Sequence, residues 1–228
     1  MRDRQRPNRD DDLPQSIEEY WQRYAEAFAA PLGGNSLLGT FVSNPAVTGA
    51  YAEAWVRSLA AAMVSNLTIS TGAVIRTTDV VQGQNLRKVP QSDLIFWDPS
   101  EMPALFRSGD FALVHTQTAR AIIEIKRTTS NEAALQAQLT KQRQRLLSEY
   151  RRNVLGVVVA HRTPLFGEGL EPAWVTNSDS RSNVRIARLL DQKTSKPDPE
   201  GIFALIYFLS HVARHPSSRV SKQRKPRA

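Results

Sequence analysis

The hydrophobic positions of this chain change their period along its length. From Ser16 they recur at helical intervals, with Ile17, Tyr20, Trp21, Tyr24 and Phe28 on one stripe. Apolar residues at this spacing predict an amphipathic helix. Ser16 and Glu19 have capping-box spacing at its start, and Pro31-Leu32-Gly33-Gly34 stops it. A second helix is predicted from Pro45 or Thr48 to Val64. Tyr51, Trp55, Leu59 and Met63 step by four as its expected buried face, with Glu53 and Arg57 off that stripe. Alanines at 50, 52, 54 and 60–62 favour the helix and allow close packing.

The period then shortens to that of strands. Residues 67–77 read as a strand or hairpin edge around Gly72, and 80–88 as a polar loop. A short apolar strand opens at Asp93, runs through Leu94, Ile95, Phe96 and Trp97, and stops at Asp98-Pro99. Residues 112–115 suit another. Residues 121–126 give a strong strand signal, because β-branched residues dominate them. A helix follows, capped near Thr129 to Asn131 and reaching about Tyr150. Its core face is Leu135, Leu139, Leu146 and Tyr150. Residues 153–160 form the most apolar strand, which is expected in a sheet covered on both faces. Ala173-Trp174-Val175 predicts a short strand. The last helix has Asp198 as N-cap and Pro199 in its first turn. It is apolar nearly all round from Ile202 to Leu209, so it is expected to be buried. This order predicts a mixed α/β sandwich around one sheet.

Composition narrows the class. The chain has 228 residues, 41% hydrophobic and 23% charged, which is a globular balance. One domain over 16–214 is expected, between a disordered tail at 1–15 and a basic flexible tail at 215–228. The absence of cysteine excludes a disulfide scaffold, a thiolate zinc site, an iron–sulfur centre and a cysteine nucleophile. The longest apolar run, Ile202 to Leu209, is far shorter than the roughly 20 residues a membrane span needs. Met1-Arg2-Asp3-Arg4 has no apolar stretch behind it, so no signal peptide and a cytoplasmic address are expected.

Charge points to a polyanion partner, but unevenly. There are 30 Lys+Arg against 22 Asp+Glu, a net +8. Residues 119–152 hold eight basic against three acidic side chains, and residues 211–228 hold six against none. Residues 1–118 are net acidic. Any basic surface on the folded body is therefore expected in the middle segment. Lys141, Arg143, Arg145, Arg151 and Arg152 there read either as a solvated helix face or as a phosphate-tracking surface.

The segment Ile122-Ile123-Glu124-Ile125-Lys126 carries the candidate chemistry. Alternate residues of a strand face opposite ways, so Glu124 and Lys126 point together, away from Ile123 and Ile125. If its strand neighbours the one opened by Asp93, the two carboxylates converge and repel. A hard divalent cation relieves such repulsion. Mg²⁺ or Mn²⁺ is the expected cofactor, because Mg²⁺ takes one or two carboxylates plus waters and phosphate oxygens. The chemistry so assembled is phosphodiester hydrolysis, with Lys126 orienting water or neutralising developing charge. The triplet Asp191-Gln192-Lys193 lacks a β-branched run and a following helix of the right kind, and is rejected. The four histidines are scattered, and no Walker A, dinucleotide or Gly-x-Ser-x-Gly motif is present.

These pieces, in this order, resemble the PD-(D/E)XK nuclease superfamily, the restriction-endonuclease-like fold. They are the helix segment Gly49-Ala50-Tyr51-Ala52-Glu53, the strand Ser92-Asp93-Leu94-Ile95-Phe96, the triplet Glu124-Ile125-Lys126 and the helix after it. Pro does not directly precede Asp93, the local sequence being Pro90-Gln91-Ser92-Asp93. The resemblance implies a mixed sheet flanked by helices, with a core over about 45–176. It implies Asp93 and Glu124 as metal ligands, Lys126 as the catalytic lysine and Glu53 as the helix acid. It also makes Gln138 or Gln142 candidates for an accessory glutamine. The implied activity is metal-dependent cleavage of nucleic acid, DNA ahead of RNA, by an enzyme that can pair as a homodimer and has no membrane partner. The chain also looks like small bacterial nuclease-like domains. The alternative is a non-catalytic nucleic-acid-binding or interaction module on the same fold.

Overall fold

The β-branched runs and the alanine-rich helix build one sheet with helices on both faces. The computed structural model describes residues 19, 20, 23, 27, 45–81, 89–127, 132–161, 185–191 and 197–214. In chain order the elements are helix α1 (Pro45–Met63), β1 (Thr68–Ile75), α2 (Thr77–Val81), β2 (Gln91–Trp97), β3 (Phe106–Ser108) and β4 (Phe111–His115). Then come β5 (Ala119–Lys126), α3 (Glu132–Arg143), a 3₁₀ turn (Ser148–Tyr150), β6 (Val154–His161), β7 (Arg185–Asp191) and α4 (Pro199–Arg214). The seven strands lie in the order β3-β4-β1-β2-β5-β6-β7. β2 runs antiparallel between β1 and β5, whereas β1–β4, β5–β6 and β6–β7 are parallel pairs.

Side-chain alternation sorts the central strands into two cores. Leu94, Phe96, Ile123, Leu155 and Val157 face Val56 and Ala60 of α1 and Ile202, Leu205 and Leu209 of α4. Ile95, Trp97, Ile122 and Val158 face Leu135 and Leu139 of α3, with Leu146 and Tyr150 beyond it. β6 is apolar throughout because both of its faces are covered. Among the described residues no helix is long and apolar enough to cross a membrane.

The structure differs from the sequence reading at several elements. The buried face of α1 is Ala52, Val56 and Ala60, while Tyr51, Trp55, Leu59 and Met63 are half-buried at its margin. Small side chains let the helix lie close to the sheet, and the bulky stripe fills the wedge beside it. α3 ends at Arg143 rather than near Tyr150, and the 3₁₀ turn carries Tyr150 back into the core. α4 is amphipathic rather than wholly buried: Gly201, Ile202, Leu205, Phe208, Leu209 and Val212 point inward, and Tyr207 is half exposed. Its expected cap holds, since Asp198 accepts the Gly201 N–H at 3.1 Å. Asp191 closes strand β7. The short edge strand β3 and helix α2 have no counterpart in the periodicity. Of the first predicted helix, the described residues 19, 20, 23 and 27 are helical. The rest of it, the strand at 173–175 and both tails lie outside the described residues.

Candidate active site

Asp93 owes its position to a bulge. Along β1 and β2 the partners Ser70↔Ile95 are followed by Gly72↔Ser92, so Thr71 alone stands opposite both Asp93 and Leu94. An extra residue of this kind re-aims the side chain it carries. The bulge is pinned from the α1 side of the sheet. The Thr71 hydroxyl donates to the Asp93 carbonyl at 3.0 Å, and Arg57 of α1 donates to the same carbonyl at 3.3 Å and to the Thr71 hydroxyl. Gly72 is required next to it. Its φ is +143°, and a Cβ there would lie 1.9 Å from the Ala112 carbonyl oxygen. On the other side of β2, Leu94 pairs with Ile123. The Ile125 N–H then donates to Asp93 Oδ2 at 2.6 Å. The carboxylate therefore takes a donor from the backbone between Glu124 and Lys126.

Glu124 is 2% exposed and held at both oxygens. Its Oε1 accepts from Gln138 Nε2 at 2.6 Å and from the Lys126 ammonium. Its Oε2 accepts from Gln142 Nε2 at 2.6 Å. Gln142 is fully buried and also reaches the Gln91 carbonyl at 3.1 Å, tying α3 to the start of β2. A buried carboxylate is costly unless it is paired and hydrogen-bonded, and these three donors meet that requirement. The approach of α3 depends on Gly156, which pairs with Glu124 across β5 and β6. A Cβ at Gly156 would stand 2.9 Å from Leu139 Cδ1. Lys126 differs from its partner in keeping 37% of its side chain exposed, so the ammonium faces both Glu124 and solvent.

Electrostatics couple the group. Burial pushes the Asp93 carboxyl up to about 6, and the Glu124 carboxylate adds to the rise. The Ile125 N–H and the Lys126 ammonium oppose it, and Glu53 raises it further. Glu53, half-buried on α1, is thus close enough for its charge to reach Asp93. Two carboxylates that repel at one place suit an ion of the Mg²⁺ class. Among the described residues no group of three His, Cys, Asp or Glu side chains is placed to hold a metal. The donor set fits a two-carboxylate ion better than zinc, which takes N and S ligands at closed sites.

The sequence candidates divide by position. Asp93, Glu124, Lys126 and Gln138 come together, with Glu53 at the margin. Lys141, Arg151 and Arg152 are exposed, and Arg143 is half-buried. Arg145 is 13% exposed and paired with the buried carboxylate of Asp79, which Arg76 also contacts at 3.3 Å. Burial opposes ionisation of Asp79, but the Arg76 N–H and the Arg145 and Arg76 charges hold its pKa below the ordinary value. The periodicity gave no signal for Arg57, Thr71, Gly156 or Asp79. For the glutamine pair a signal existed: Gln138 and Gln142 are one turn apart, beside Leu135 and Leu139 on a core-facing helix.

The mixed seven-stranded sheet with helices on both faces has the restriction-endonuclease-like fold. No family model and no curated protein matches the chain. Solved structures do. P. aeruginosa ATCC27853 NucC in its cAAA-bound form is similar at a TM-score of 0.55 and 14% identity, over 90% of this chain and 95% of that one. E. coli MS115-1 NucC in its cAAA-bound form is similar at 0.54 and 14% identity, over 90% and 94%.

Proposed function

We propose that the protein is a divalent-metal-dependent nuclease that hydrolyses phosphodiester bonds of nucleic acid, with DNA as the substrate. The observation that carries this reading is the convergence of Asp93, Glu124 and Lys126 on two adjoining strands of a restriction-endonuclease-like sheet. Asp93 and Glu124 would hold Mg²⁺ or Mn²⁺, which when bound supplies an activated water and stabilises charge on the phosphoryl oxygens. The chain's own groups have separable tasks. Gln138 and Gln142 fix the Glu124 carboxylate, so little reorganisation is left for the reaction. The Ile125 N–H fixes one oxygen of Asp93. Lys126 faces solvent, and its ammonium can donate to a phosphate oxygen or orient the attacking water. Glu53 supplies a third negative charge at the rim.

The test is a cleavage panel of single- and double-stranded DNA and RNA with Mg²⁺, Mn²⁺ or EDTA. Metal-dependent cutting of DNA by the native chain is expected. Glu124→Ala and Lys126→Ala are each expected to lower the rate by at least about 10²-fold, the scale of losing one electrostatic stabiliser, while circular dichroism stays native. If both variants cut at the native rate, the assignment is wrong. Salt-dependent binding with no cutting under any metal would mark a binding module instead. Two active sites can cut both strands of a duplex in one encounter. A homodimer would provide them, and light scattering with and without duplex checks this.

A further inference from the structure

Arg57 spends its charge on the backbone rather than on a carboxylate. It is half-buried on α1, and among the described residues it forms no ion pair, even with Glu53 one turn before it. Its Nη2 donates instead to the Thr71 hydroxyl and, at 3.3 Å, to the Asp93 carbonyl. The Thr71 hydroxyl donates to the same carbonyl at 3.0 Å. A hydroxyl has one proton to give, so that of Thr71 is committed to Asp93 while its oxygen accepts from Arg57. The Asp93 carbonyl thereby receives two donors, one for each lone pair. A bulge leaves its extra residue without a partner in the ladder, and these donors supply what the ladder does not.

The two ends of Asp93 are held from opposite flanks of β2, which lies between β1 and β5. Thr71 of β1 and Arg57 of α1 hold the carbonyl. β5 receives the carboxylate, whose Oδ2 accepts the Ile125 N–H at 2.6 Å. Carbonyl and side chain share one Cα, so a turn of the peptide at the bulge swings the carboxylate away from Glu124. The same contact bears on a second acid. Glu53 and Arg57 are four residues apart on α1, which puts their Cβ atoms about 5–6 Å apart on one face. The hook that ties Arg57 to the bulge therefore also sets Glu53 at the margin of the site, where its charge reaches Asp93. The charges that bear on the Asp93 carboxyl come from Glu124, Lys126 and Glu53, whereas Arg57 grips the residue at its carbonyl.

We propose that Arg57 and Thr71 are positioning residues of the candidate site, a clamp that holds the Asp93 peptide so that its carboxylate faces Glu124. The ion these carboxylates share rests on the nuclease reading, but the placement of Asp93 is testable without it. Backbone amide exchange of the full chain is followed by NMR at one pH in EDTA. The Ile125 N–H reports whether the Asp93 carboxylate is in place. Arg57→Met keeps the aliphatic stem and loses the donors. Thr71→Val keeps the branched shape and loses the hydroxyl, so it tests the clamp even if the Arg57 variant fails to fold. Each is expected to speed exchange at Ile125 by at least about tenfold, the worth of one hydrogen bond to a charged group. Val157, in the centre of β6, is expected to keep its native rate. Thr71→Ser retains the hydroxyl and is expected to restore most of the protection. Mn²⁺ titration followed by EPR, on the same proteins freed of EDTA, is the second readout. An affinity loss of about 10- to 100-fold is expected in Arg57→Met and Thr71→Val, the scale for groups that orient a metal's ligands, with recovery in Thr71→Ser. Native exchange at Ile125 in Thr71→Val, or equal acceleration at Ile125 and Val157, would overturn the proposal. So would faster exchange at Ile125 with native Mn²⁺ affinity, since the clamp would then not serve the site. If the native chain binds no Mn²⁺ but its variants expose Ile125 alone, the clamp stands and the nuclease reading falls. Mn²⁺ binding and Ile125 exchange that are native in every variant do the reverse.

Discussion

Asp93 is held under tension by its own surroundings. Its carboxyl titrates near 6 in the fold and at 3.8 in an ordinary chain, so between those values the native state carries the extra proton. Stability from this group is therefore fully present below pH 3.8 and lost as pH rises through 6. A difference of about two units corresponds to about 3 kcal/mol at neutral pH, an upper figure for a partly hydrated group. Asp93→Asn removes the charge and keeps an oxygen for the Ile125 N–H. It is expected to stabilise the metal-free protein by about 1–2 kcal/mol at pH 7.5, with the gain vanishing at pH 4, while abolishing cleavage. Urea denaturation at the two pH values in EDTA measures this. Equal stability of the two proteins at pH 7.5 would show that the carboxylate is not strained. Glu124 is held by hydrogen bonds: three donors meet its two oxygens, and Lys126 is one of them.

At the scale of elements, the site depends on how closely α3 lies on β6. Gly156 has room for no Cβ without displacing Leu139. Gly156→Val is expected to push α3 outward, cost about 1–3 kcal/mol as an overpacked core position, and loosen Gln138 and Gln142 from Glu124. Its cleavage rate should fall at a temperature where the variant is still folded, and Leu139→Ala in the same chain should recover part of it. Thermal melts and rates on the single and double variants decide the matter; no recovery would place the defect elsewhere. The elements behind this arrangement were mostly visible in the sequence. The β-branched run at β5 and the apolar β6 declare themselves, because strands covered on both faces need apolar side chains on both. The Asp93 strand and the Glu124–Lys126 pair follow from the same alternation. The bulge at Thr71 was not visible, since a bulge is a mismatch between two strands and neither carries it alone. The true buried face of α1 was hidden because alanine's small size, rather than its hydrophobicity, decides which face meets the sheet. Asp79 and Arg145 are far apart in sequence, and only folding pairs them.

For the whole molecule, the net charge of +8 says less than its placement. The body places Glu53, Asp93 and Glu124 near one point, whereas Arg76, Arg145 and Arg151 line a cleft beside the turn that leads into β5. An acidic centre on a net basic chain suits a ligand that is itself an anion with a cation attached. The acidic half of that balance has a thermodynamic consequence. A divalent ion that binds the folded state alone stabilises it by mass action, about 2.7 kcal/mol at one hundred times its dissociation constant. It must first displace the proton that Asp93 holds below pH 6. Adding Mg²⁺ at a fixed millimolar concentration is thus expected to raise Tm by several degrees at pH 7.5 and by clearly less at pH 5. The increment should disappear in Glu124→Ala at both pH values, because the remaining carboxylate has no partner with which to share the ion. A Tm increment equal at the two pH values, or one that survives Glu124→Ala, would place the ion away from these strands. Scanning calorimetry on the native chain and the variant, each with Mg²⁺ and with EDTA, reads all of these outcomes without requiring a substrate.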